Sequence, residues 1–362
     1  MHIGIDARKY GDFGIGTYIR NLASAFDRQG EHRFTYIVAP GDAPRVSQTH
    51  RGNTLVNSSG KYSLRELVSV SGQANRAELD LFHEPHYTLP LGLRMRSVVT
   101  IHDVIHLRFP EYFSPLQRTY AKMMISHAAR ASDAVIVDSA FAGSELRRYV
   151  TIPESKIRVI PLGVSGAYAP EATGESAAEF RRRYGIDGPF LLYVGSLKPH
   201  KNVALLIRAL AQSGDREIRL VCAGEDINAD RAHAAAIGRA GVAHRIRGLG
   251  WLPEDELPGA YRAATALVLP SLYEGFGLPA LEAMACGTPV ISSNAASLPE
   301  VTGGAALAFS PASEGELAEA IRTVAADASL RASLREKGLR RAAQFTWQRC
   351  AEETLNLYGT LS

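Results

Sequence analysis

The sequence predicts an α/β protein with two doubly wound parallel sheets, one in each half of the chain. Short apolar strands alternate with amphipathic helices through most of the 362 residues, which is the pattern of βαβ units. That length is ample for two domains. A small, polar stretch without periodicity, residues 166–178, separates two such series and is interpreted as a linker. We therefore predict an N-terminal domain at 1–165 and a C-terminal domain at 179–346.

The first half contains six segments that we predict as strands and four that we predict as helices. The strands are short apolar runs, and they lie at 1–6, 34–40, 78–83, 96–103, 133–140 and 156–164. The helices have apolar residues at helical spacing, and they lie at 17–26, 63–76, 115–131 and 141–150. Pro115 can begin the third of these helices, because proline is tolerated at the first helical position.

The second half repeats the alternation. Its predicted strands lie at 188–196, 218–225, 244–250, 265–271 and 288–293. Its predicted helices lie at 202–212, 257–264 and 279–287, and more helices follow in the tail. Open α/β sheets bind ligands outside the carboxyl ends of their strands. The chemistry is therefore expected in the loops at those ends, in a cleft between the two domains.

Composition and charge exclude several classes of protein. The chain is 46% apolar and 21% charged, with a formal net charge of +3, which fits a globular protein and not a disordered chain or a dedicated nucleic-acid binder. Cys222, Cys286 and Cys350 are too few and too scattered for a disulfide framework. The first residues lack the pattern of a signal peptide, and no apolar run reaches the length of a spanning helix. We expect a cytoplasmic protein.

The stretch LVLPSLYEGFGLPALEAMACGTPVIS, residues 267–292, places Glu274 and Glu282 eight positions apart in an otherwise apolar segment. Gly275, Gly277 and Pro279 lie between them, so a glycine loop leads from a strand into a helix. The free amides of such a helix start can bind an anion. A carboxylate one turn further in can bind ribose hydroxyls, and one on the loop can bind hydroxyls of a second sugar. This pattern indicates a nucleotide sugar; the alternative is that both glutamates only cap a helix.

Two more loops have the features of phosphate sites. Lys201 ends the loop VGSLKPHKN just before a predicted helix, where a cation and helix amides can meet a phosphate. The loop GDFGIG has Gly11, Gly14 and Gly16 between a strand and a helix, in the order G-x-x-G-x-G. The alternatives are a solvated lysine and a tight turn that needs glycine only for packing.

Histidines follow two neighbouring strands. His83 and His86 lie in HEPH, and His102, Asp103 and His106 lie in IHDVIH. They allow a zinc site, but HDVIH follows a strand directly, whereas H-E-x-x-H needs a helix to place both histidines on one face. A neutral histidine that donates to a sugar hydroxyl or an oxyanion is the preferred interpretation.

The chain resembles the retaining glycosyltransferases of the glycogen-synthase and sucrose-synthase-like superfamily. The similarity rests on VGSLKPHKN and on GWLPEDELPGAYRAATALVLPSLYEGFGLPALEAMACGTPVISSNAASLPEVTGGAA, with GIGTYIRNL and TIHDVIHLRFPEYFS in the first half. Within the superfamily it is most similar to bacterial mannosyltransferases of O-antigen and exopolysaccharide assembly. The resemblance implies a GT-B fold, with the donor in the C-terminal domain and the acceptor mainly in the N-terminal one. It also implies that a last helix, 347–362, packs back on the first domain.

The resemblance implies a role for each motif residue. Glu274 and His102 would contact the donor sugar, Glu282 the ribose, and Lys201 the diphosphate. The backbone amides of the segment after Glu274 would bind the sugar and diphosphate: Gly275, Phe276, Gly277 and Leu278. Gly14 and Gly16 would approach the donor phosphates. Ser196 stands where many relatives have an arginine, and Lys198 is a candidate for the missing second cation.

The activity expected from the resemblance is retaining transfer of a hexose to a hydroxyl acceptor, without a metal or another cofactor. The first expected donor is GDP-mannose, and the alternative is UDP-glucose or another UDP-hexose. A glycan or lipid-linked acceptor is expected, with possible peripheral membrane contact through the basic helix at 115–131 and with no nucleic-acid partner. A sugar-nucleotide epimerase, a phosphorylase and a zinc hydrolase stay as alternatives. The fingerprint G-x-G-x-x-G is absent, which argues against a dinucleotide oxidoreductase.

Overall fold

The computed structural model describes residues 1–60, 62–170 and 176–361. It divides into two compact units, Met1–Gly163 with Thr346–Ser362 and Val164–Phe345. Each unit contains one parallel sheet with helices between its strands, which confirms the predicted fold class. Residues 171–175 of the predicted linker lie outside the described part of the chain.

The first unit has a seven-stranded sheet in the order β3-β2-β1-β4-β5-β6-β7. Its strands are β1 His2–Asp6, β2 Arg33–Val38, β3 Asn53–Val56, β4 Leu81–Glu84, β5 Arg96–Thr100, β6 Ala134–Val137 and β7 Ile157–Val159. All the pairs are parallel. The chain order reverses between β1 and β4, so the carboxyl ends of these two strands form the switch point at which open sheets bind ligands.

The described residues of the first unit form seven α-helices beside this sheet: α1 Ile15–Gln29, α2 Ala43–Thr49, α3 Leu64–Arg76, α4 Ile105–Arg108, α5 Pro115–Ala131, α6 Ala140–Tyr149 and, from the end of the chain, α15 Trp347–Gly359. The helix α5 begins at Pro115 as predicted, after Ser114, which forms a capping box with Gln117. The helix α15 packs on α1, and the Tyr358 hydroxyl lies 2.6 Å from His83 Nδ1. None of the helices within the described ranges is long and apolar enough to cross a membrane.

The second unit has a six-stranded sheet in the order β10-β9-β8-β11-β12-β13. Its strands are β8 Phe190–Gly195, β9 Arg219–Gly224, β10 Ile246–Gly250, β11 Ala266–Leu269, β12 Val290–Ser293 and β13 Leu307–Phe309. Its helices are α7 Ala177–Tyr184, α8 Val203–Gln212, α9 Arg231–Ala240, α10 Leu257–Ala263, α11 Leu278–Ala285, α12 Leu298–Thr302, α13 Glu314–Ala326 and α14 Ala328–Ala342. The switch point lies between β8 and β11, and the segments that follow these two strands contain Lys201 and Glu274.

Candidate functional site

The second unit brings Lys201 and Glu274 into direct contact. Lys201 follows β8 and Glu274 follows β11, and these strands pair side by side at the switch point. The Lys201 ammonium donates to both carboxylate oxygens of Glu274, at 2.7 and 2.8 Å. The Ser271 hydroxyl donates to the same carboxylate at 2.7 Å. Two residues predicted from separate motifs therefore form one ion pair, whose side chains stay 22% and 13% exposed.

The loop from Glu274 leads into α11 as the sequence predicts. Gly277 is the N-cap, with φ 99°, and a Cβ there would lie 2.6 Å from Leu298 Cδ2, so the position requires glycine. No side chain forms a capping hydrogen bond at the start of this helix. The helix begins at Leu278, and Pro279 is its second residue. The Ser297 hydroxyl donates to the carbonyls of Glu274 and Phe276, at 2.9 and 2.8 Å, and so fixes the loop. The proposed amide segment is thus ordered by contacts of its own.

The capping alternative for the two glutamates is wrong. Glu274 is bound to Lys201, and Glu282 lies inside α11 and not at its start. Glu282 is 6% exposed and accepts a hydrogen bond from the Tyr261 hydroxyl at 2.7 Å. Burial raises its pKa to about 7, although hydrogen bonds from Tyr261 and Tyr168 act in the opposite direction. This carboxyl therefore holds its proton to a higher pH than an ordinary glutamate does.

The loop after β8 is held by groups that the sequence did not single out. The Tyr193 hydroxyl donates to the carbonyl of Ser196, and the amide of Leu197 donates to Glu225 Oε2 at 2.7 Å. Lys198 is exposed on this loop. The two contacts fold the backbone of the loop back on the sheet, and the role of Lys198 as a second cation stays a prediction.

His102 lies in the loop after β5 of the first unit and is oriented from both sides. Its Nδ1 is 2.7 Å from Asp138 Oδ2, at the end of β6, and its Nε2 is 3.2 Å from the carbonyl of Pro85. Burial on its own would lower the pKa of His102, but the charge and hydrogen bond of Asp138 outweigh burial and raise it. Both ring nitrogens face oxygen acceptors, and the neutral form expected from the sequence stays a prediction.

Gly14 and Gly16 of the first loop are required for different reasons. Gly16 is required by packing, because a Cβ there would lie 2.5 Å from the carbonyl oxygen of Tyr10 and 2.9 Å from that of Lys9. Gly14 is the N-cap of α1 with φ 66°, and a Cβ there would meet no atom within 4 Å. Close packing therefore accounts for Gly16 and the left-handed turn accounts for Gly14, and contact of this loop with the donor phosphates stays a prediction.

The histidines do not converge on one point. His83 is fully buried between Thr100 and Tyr358, and burial together with His102 lowers its pKa to about 3. Within the ranges that the structure covers, no group of three or more histidine, cysteine, aspartate or glutamate side chains could hold a metal ion. The zinc alternative gains no support from this geometry.

Comparison with known proteins identifies the class. The family model described as glycosyl transferases group 1 matches residues 176–341, and that of glycosyltransferase family 4 matches residues 14–166. The O-antigen chain mannosyltransferase B of Escherichia coli is 33% identical over 284 residues, which cover 78% of this chain and 74% of the relative. The MMP alpha-(1->4)-mannosyltransferase of Mycolicibacterium hassiacum is 32% identical over 324 residues, 82% of this chain and 74% of that protein.

Solved structures show the same fold. Sucrose-phosphate synthase from Thermosynechococcus elongatus superposes with a TM-score of 0.80 at 24% identity, over 100% of this chain and 99% of its own. Anabaena HepE in complex with UDP-glucose superposes with a TM-score of 0.81 at 20% identity, over 100% of both chains. The chain therefore belongs to the group 1 glycosyltransferases of the GT-B fold, and it is an enzyme that transfers a sugar.

Proposed function

We propose that this chain is a retaining hexosyltransferase that moves mannose from GDP-mannose to a hydroxyl of a glycan or lipid-linked acceptor, without a metal ion. The observation that carries the proposal is the contact of Lys201 with Glu274, beside the uncapped start of α11. These are the groups that a sugar diphosphate needs. A cation and free helix amides bind the phosphates, and a carboxylate binds the sugar hydroxyls.

The leaving group decides the chemistry of the reaction. As the glycosidic bond breaks, negative charge grows on the diphosphate, and preorganised donors that meet this charge stabilise the transition state. Lys201 and the first amides of α11 are these donors in our proposal. Before the donor binds, Glu274 holds the ammonium of Lys201 in place at 2.7 Å. The donor phosphate then shares the cation, and the carboxylate becomes available to the sugar hydroxyls.

In our proposal, retention comes from attack on the face that the diphosphate leaves, and the state of Glu274 argues only against a covalent intermediate. This carboxylate is neutralised by Lys201 and hydrogen-bonded by Ser271, which weakens it as a nucleophile. We therefore assign no covalent intermediate to it. The acceptor attacks from the face that the diphosphate leaves, and the departing phosphate oxygen takes the acceptor proton.

The choice of donor rests on the relatives. Both curated relatives named above are mannosyltransferases, whereas the structure that contains UDP-glucose is only 20% identical. The test is the release of free nucleoside diphosphate from GDP-mannose, UDP-glucose and UDP-galactose, each with and without a panel of glycosides as acceptors. We expect GDP release that depends on an acceptor. Conversion of the donor without an acceptor and without release of diphosphate would support an epimerase instead, and release from a UDP-hexose alone would replace the donor.

A further inference from the structure

The switch point of the first sheet contains a group of buried charges that the donor chemistry does not use. Asp6 ends β1 and Glu84 ends the neighbouring β4, and both are buried. Arg8 contacts Asp6 and Glu66: its Nε is 2.9 Å from Asp6 Oδ1, and its Nη2 is 2.8 Å from Oε1 of Glu66 on α3. Arg8 is 3% exposed and Glu66 is 1% exposed. These charges are therefore built into the ligand-binding edge of the sheet and do not lie on the open surface.

Four polar atoms of this group lack a hydrogen-bond partner within the described residues. Arg8 Nη1, Lys9 Nζ, Glu84 Oε2 and the Tyr120 hydroxyl are buried and have no hydrogen-bond partner within the described part of the chain. Burial and then the charge of Glu66 raise the pKa of Tyr120 to about 12, and Arg8 and Glu84 are also close enough to act on it. Unpaired polar atoms cost free energy when they are kept from water. Several of them at one switch point indicate a place for a polar ligand.

An aromatic surface adjoins these atoms. The ammonium of Lys9, on a residue that is 5% exposed, lies 4.0 Å from the centre of the Tyr62 ring. Tyr62 itself is 50% exposed and has a φ of 62°, and its ring lies edge-on to Tyr120 and to His86, with centroid distances of 6.3 and 5.9 Å. A left-handed backbone at a tyrosine is uncommon and costs free energy. The position of the ring over the ammonium therefore depends on a backbone conformation that is unfavourable for tyrosine.

We propose that Arg8, Lys9, Glu84 and Tyr120, with the ring of Tyr62 beside them, bind hydroxyl groups of a neutral sugar acceptor. We call this set the switch-point cluster. The inference rests on the proposed function and assigns residues and a charge class to its acceptor. A sugar hydroxyl donates and accepts hydrogen bonds, so it can satisfy a cation and a carboxyl oxygen at the same time. The Tyr62 ring offers a face against which a sugar ring packs.

Charge decides against an anionic group at this place. The two positive charges of Arg8 and Lys9 are matched by the carboxylates of Asp6 and Glu66, and burial together with the charge of Asp6 raises the pKa of Glu84 well above its usual range. A phosphate would approach three carboxyl groups and add an uncompensated charge to a buried site. A neutral hydroxyl adds none. The cluster therefore favours the uncharged part of an acceptor.

The test uses two variants of the full chain, Lys9→Met and Tyr120→Phe, with Lys337→Met on the exposed side of α14 as the matched control. Transfer is measured against acceptor concentration with neutral mannosides. Affinity for GDP and slow hydrolysis of GDP-mannose without acceptor are measured in parallel. We expect the acceptor KM to rise about 10- to 100-fold in Lys9→Met and about 2- to 10-fold in Tyr120→Phe, as for loss of a charged and a neutral hydrogen bond. GDP affinity and donor hydrolysis should stay at wild-type values in both.

A purely structural role gives a different result. Because the Tyr120 hydroxyl has no partner within the described residues, Tyr120→Phe should leave the Tm of the ligand-free protein unchanged or raised. An unchanged acceptor KM in both variants, with normal transfer by the wild type, would overturn the inference and leave the proposed function standing. The same holds if KM rises only together with a lowered Tm and weaker GDP binding. Absence of transfer by the wild type with every donor would overturn the proposed function, and this inference with it.

Discussion

The ammonium of Lys201 lies 2.7 and 2.8 Å from the two carboxylate oxygens of Glu274, although 73 residues separate them in the chain. The contact exists because β8 and β11 are neighbours at the switch point of the second sheet. In our proposal, a lysine paired in this way is preorganised for the negative charge that develops on the diphosphate.

Lys201→Met should reduce kcat about 100- to 1000-fold, the usual effect of losing one preorganised donor to a developing charge. GDP-mannose KM should change less, because the charge on the diphosphate grows only in the transition state. The free energy of unfolding should change by less than about 1 kcal/mol, because both partners are partly exposed to water. Steady-state kinetics and urea unfolding measure both quantities, with Lys337→Met as control. Wild-type turnover in Lys201→Met would remove the lysine from the mechanism.

Glu282 should make donor binding depend on pH near neutrality. Its pKa of about 7 means that the carboxylate form, the better acceptor for ribose hydroxyls, becomes predominant only above that pH. We expect donor KM to fall as the pH rises from 6 to 8 in the wild type and to stay flat in Glu282→Gln. The measurement is donor KM across this range at saturating acceptor. Parallel profiles in the two proteins would contradict the ribose role.

The same carboxyl should affect stability in the opposite direction. Its folded pKa lies above the ordinary 4.5, so the native state binds the proton more tightly, and the stabilisation present below pH 4.5 is lost as the pH rises toward 7. A shift of this size corresponds to roughly 3 kcal/mol over that window. Relative to Glu282→Gln, the wild type should therefore be more stable at pH 5 than at pH 8. Urea unfolding at both pH values gives the comparison, and a constant difference between the two proteins would count against a raised pKa.

His102 should titrate above the ordinary histidine range because of Asp138. In Asp138→Asn, burial acts without the opposing charge, so the pKa of His102 should fall below that of the wild type. A raised folded pKa also means that the stabilising contribution of His102 is present below pH 6.5 and is lost as the pH rises through that pKa. NMR titration of the ring protons measures the shift, and His83, whose pKa is about 3, should not titrate between pH 5 and 8. Equal His102 pKa values in the two proteins would refute the coupling.

Membrane attachment, if the enzyme uses it, should depend on the exposed face of α5. Leu116 and Met123 are 80% and 53% exposed, and Arg118, Lys122 and Arg130 lie on the same helix in exposed positions. Met124 and Ile125, which follow Met123 on this helix, are buried in the core. Each cation near an anionic surface contributes about 1 kcal/mol. We expect co-sedimentation with phosphatidylglycerol vesicles at low salt and release at high salt, both weakened in Lys122→Ala/Met123→Ser.

The arrangement of strands and helices could be predicted where the apolar pattern is strong. The helix predicted at 115–131 has the observed bounds, because Pro115 and regular apolar spacing agree there. The strand β3 was missed because it lies at the edge of the sheet and none of its residues is buried. The helix α7 was missed because only Phe180 of its eight residues is buried. Apolar periodicity carries no signal for elements that bury so little.

The candidate site could be predicted as separate motifs but not as a set of contacts. Glu274 and Lys201 were both identified, yet their ion pair depends on strand order, which no local pattern encodes. Tyr261 and Asp138 were not singled out, because a tyrosine within a helix and an aspartate after a strand are common. Their importance follows from their contacts. Tyr261 donates a hydrogen bond to Glu282 in the second unit, and Asp138 contacts His102 in the first. The switch-point cluster could not be predicted from local patterns either, because the acidic residues around Arg8 come from β1, β4 and α3, which are distant in sequence.

Metal removal tests the charge balance of the donor site. Because Lys201 and the amides of α11 are proposed to carry the diphosphate charge, we expect unchanged kcat after dialysis against EDTA and in the continued presence of excess EDTA. The rate is measured as GDP release coupled to acceptor. Loss of activity that manganese or magnesium restores would show that a cation shares this task.

The stereochemistry of the product tests the central claim most directly. Incubation with GDP-mannose and a neutral mannoside, followed by NMR of the purified product, reports the anomeric configuration from the one-bond coupling between C1 and H1. We expect one GDP to be released for each new glycosidic bond, and we expect an α-linked mannose, which has the anomeric configuration of the donor. A β-linked product would contradict retention, and no diphosphate release with any donor and acceptor would contradict the account of the site.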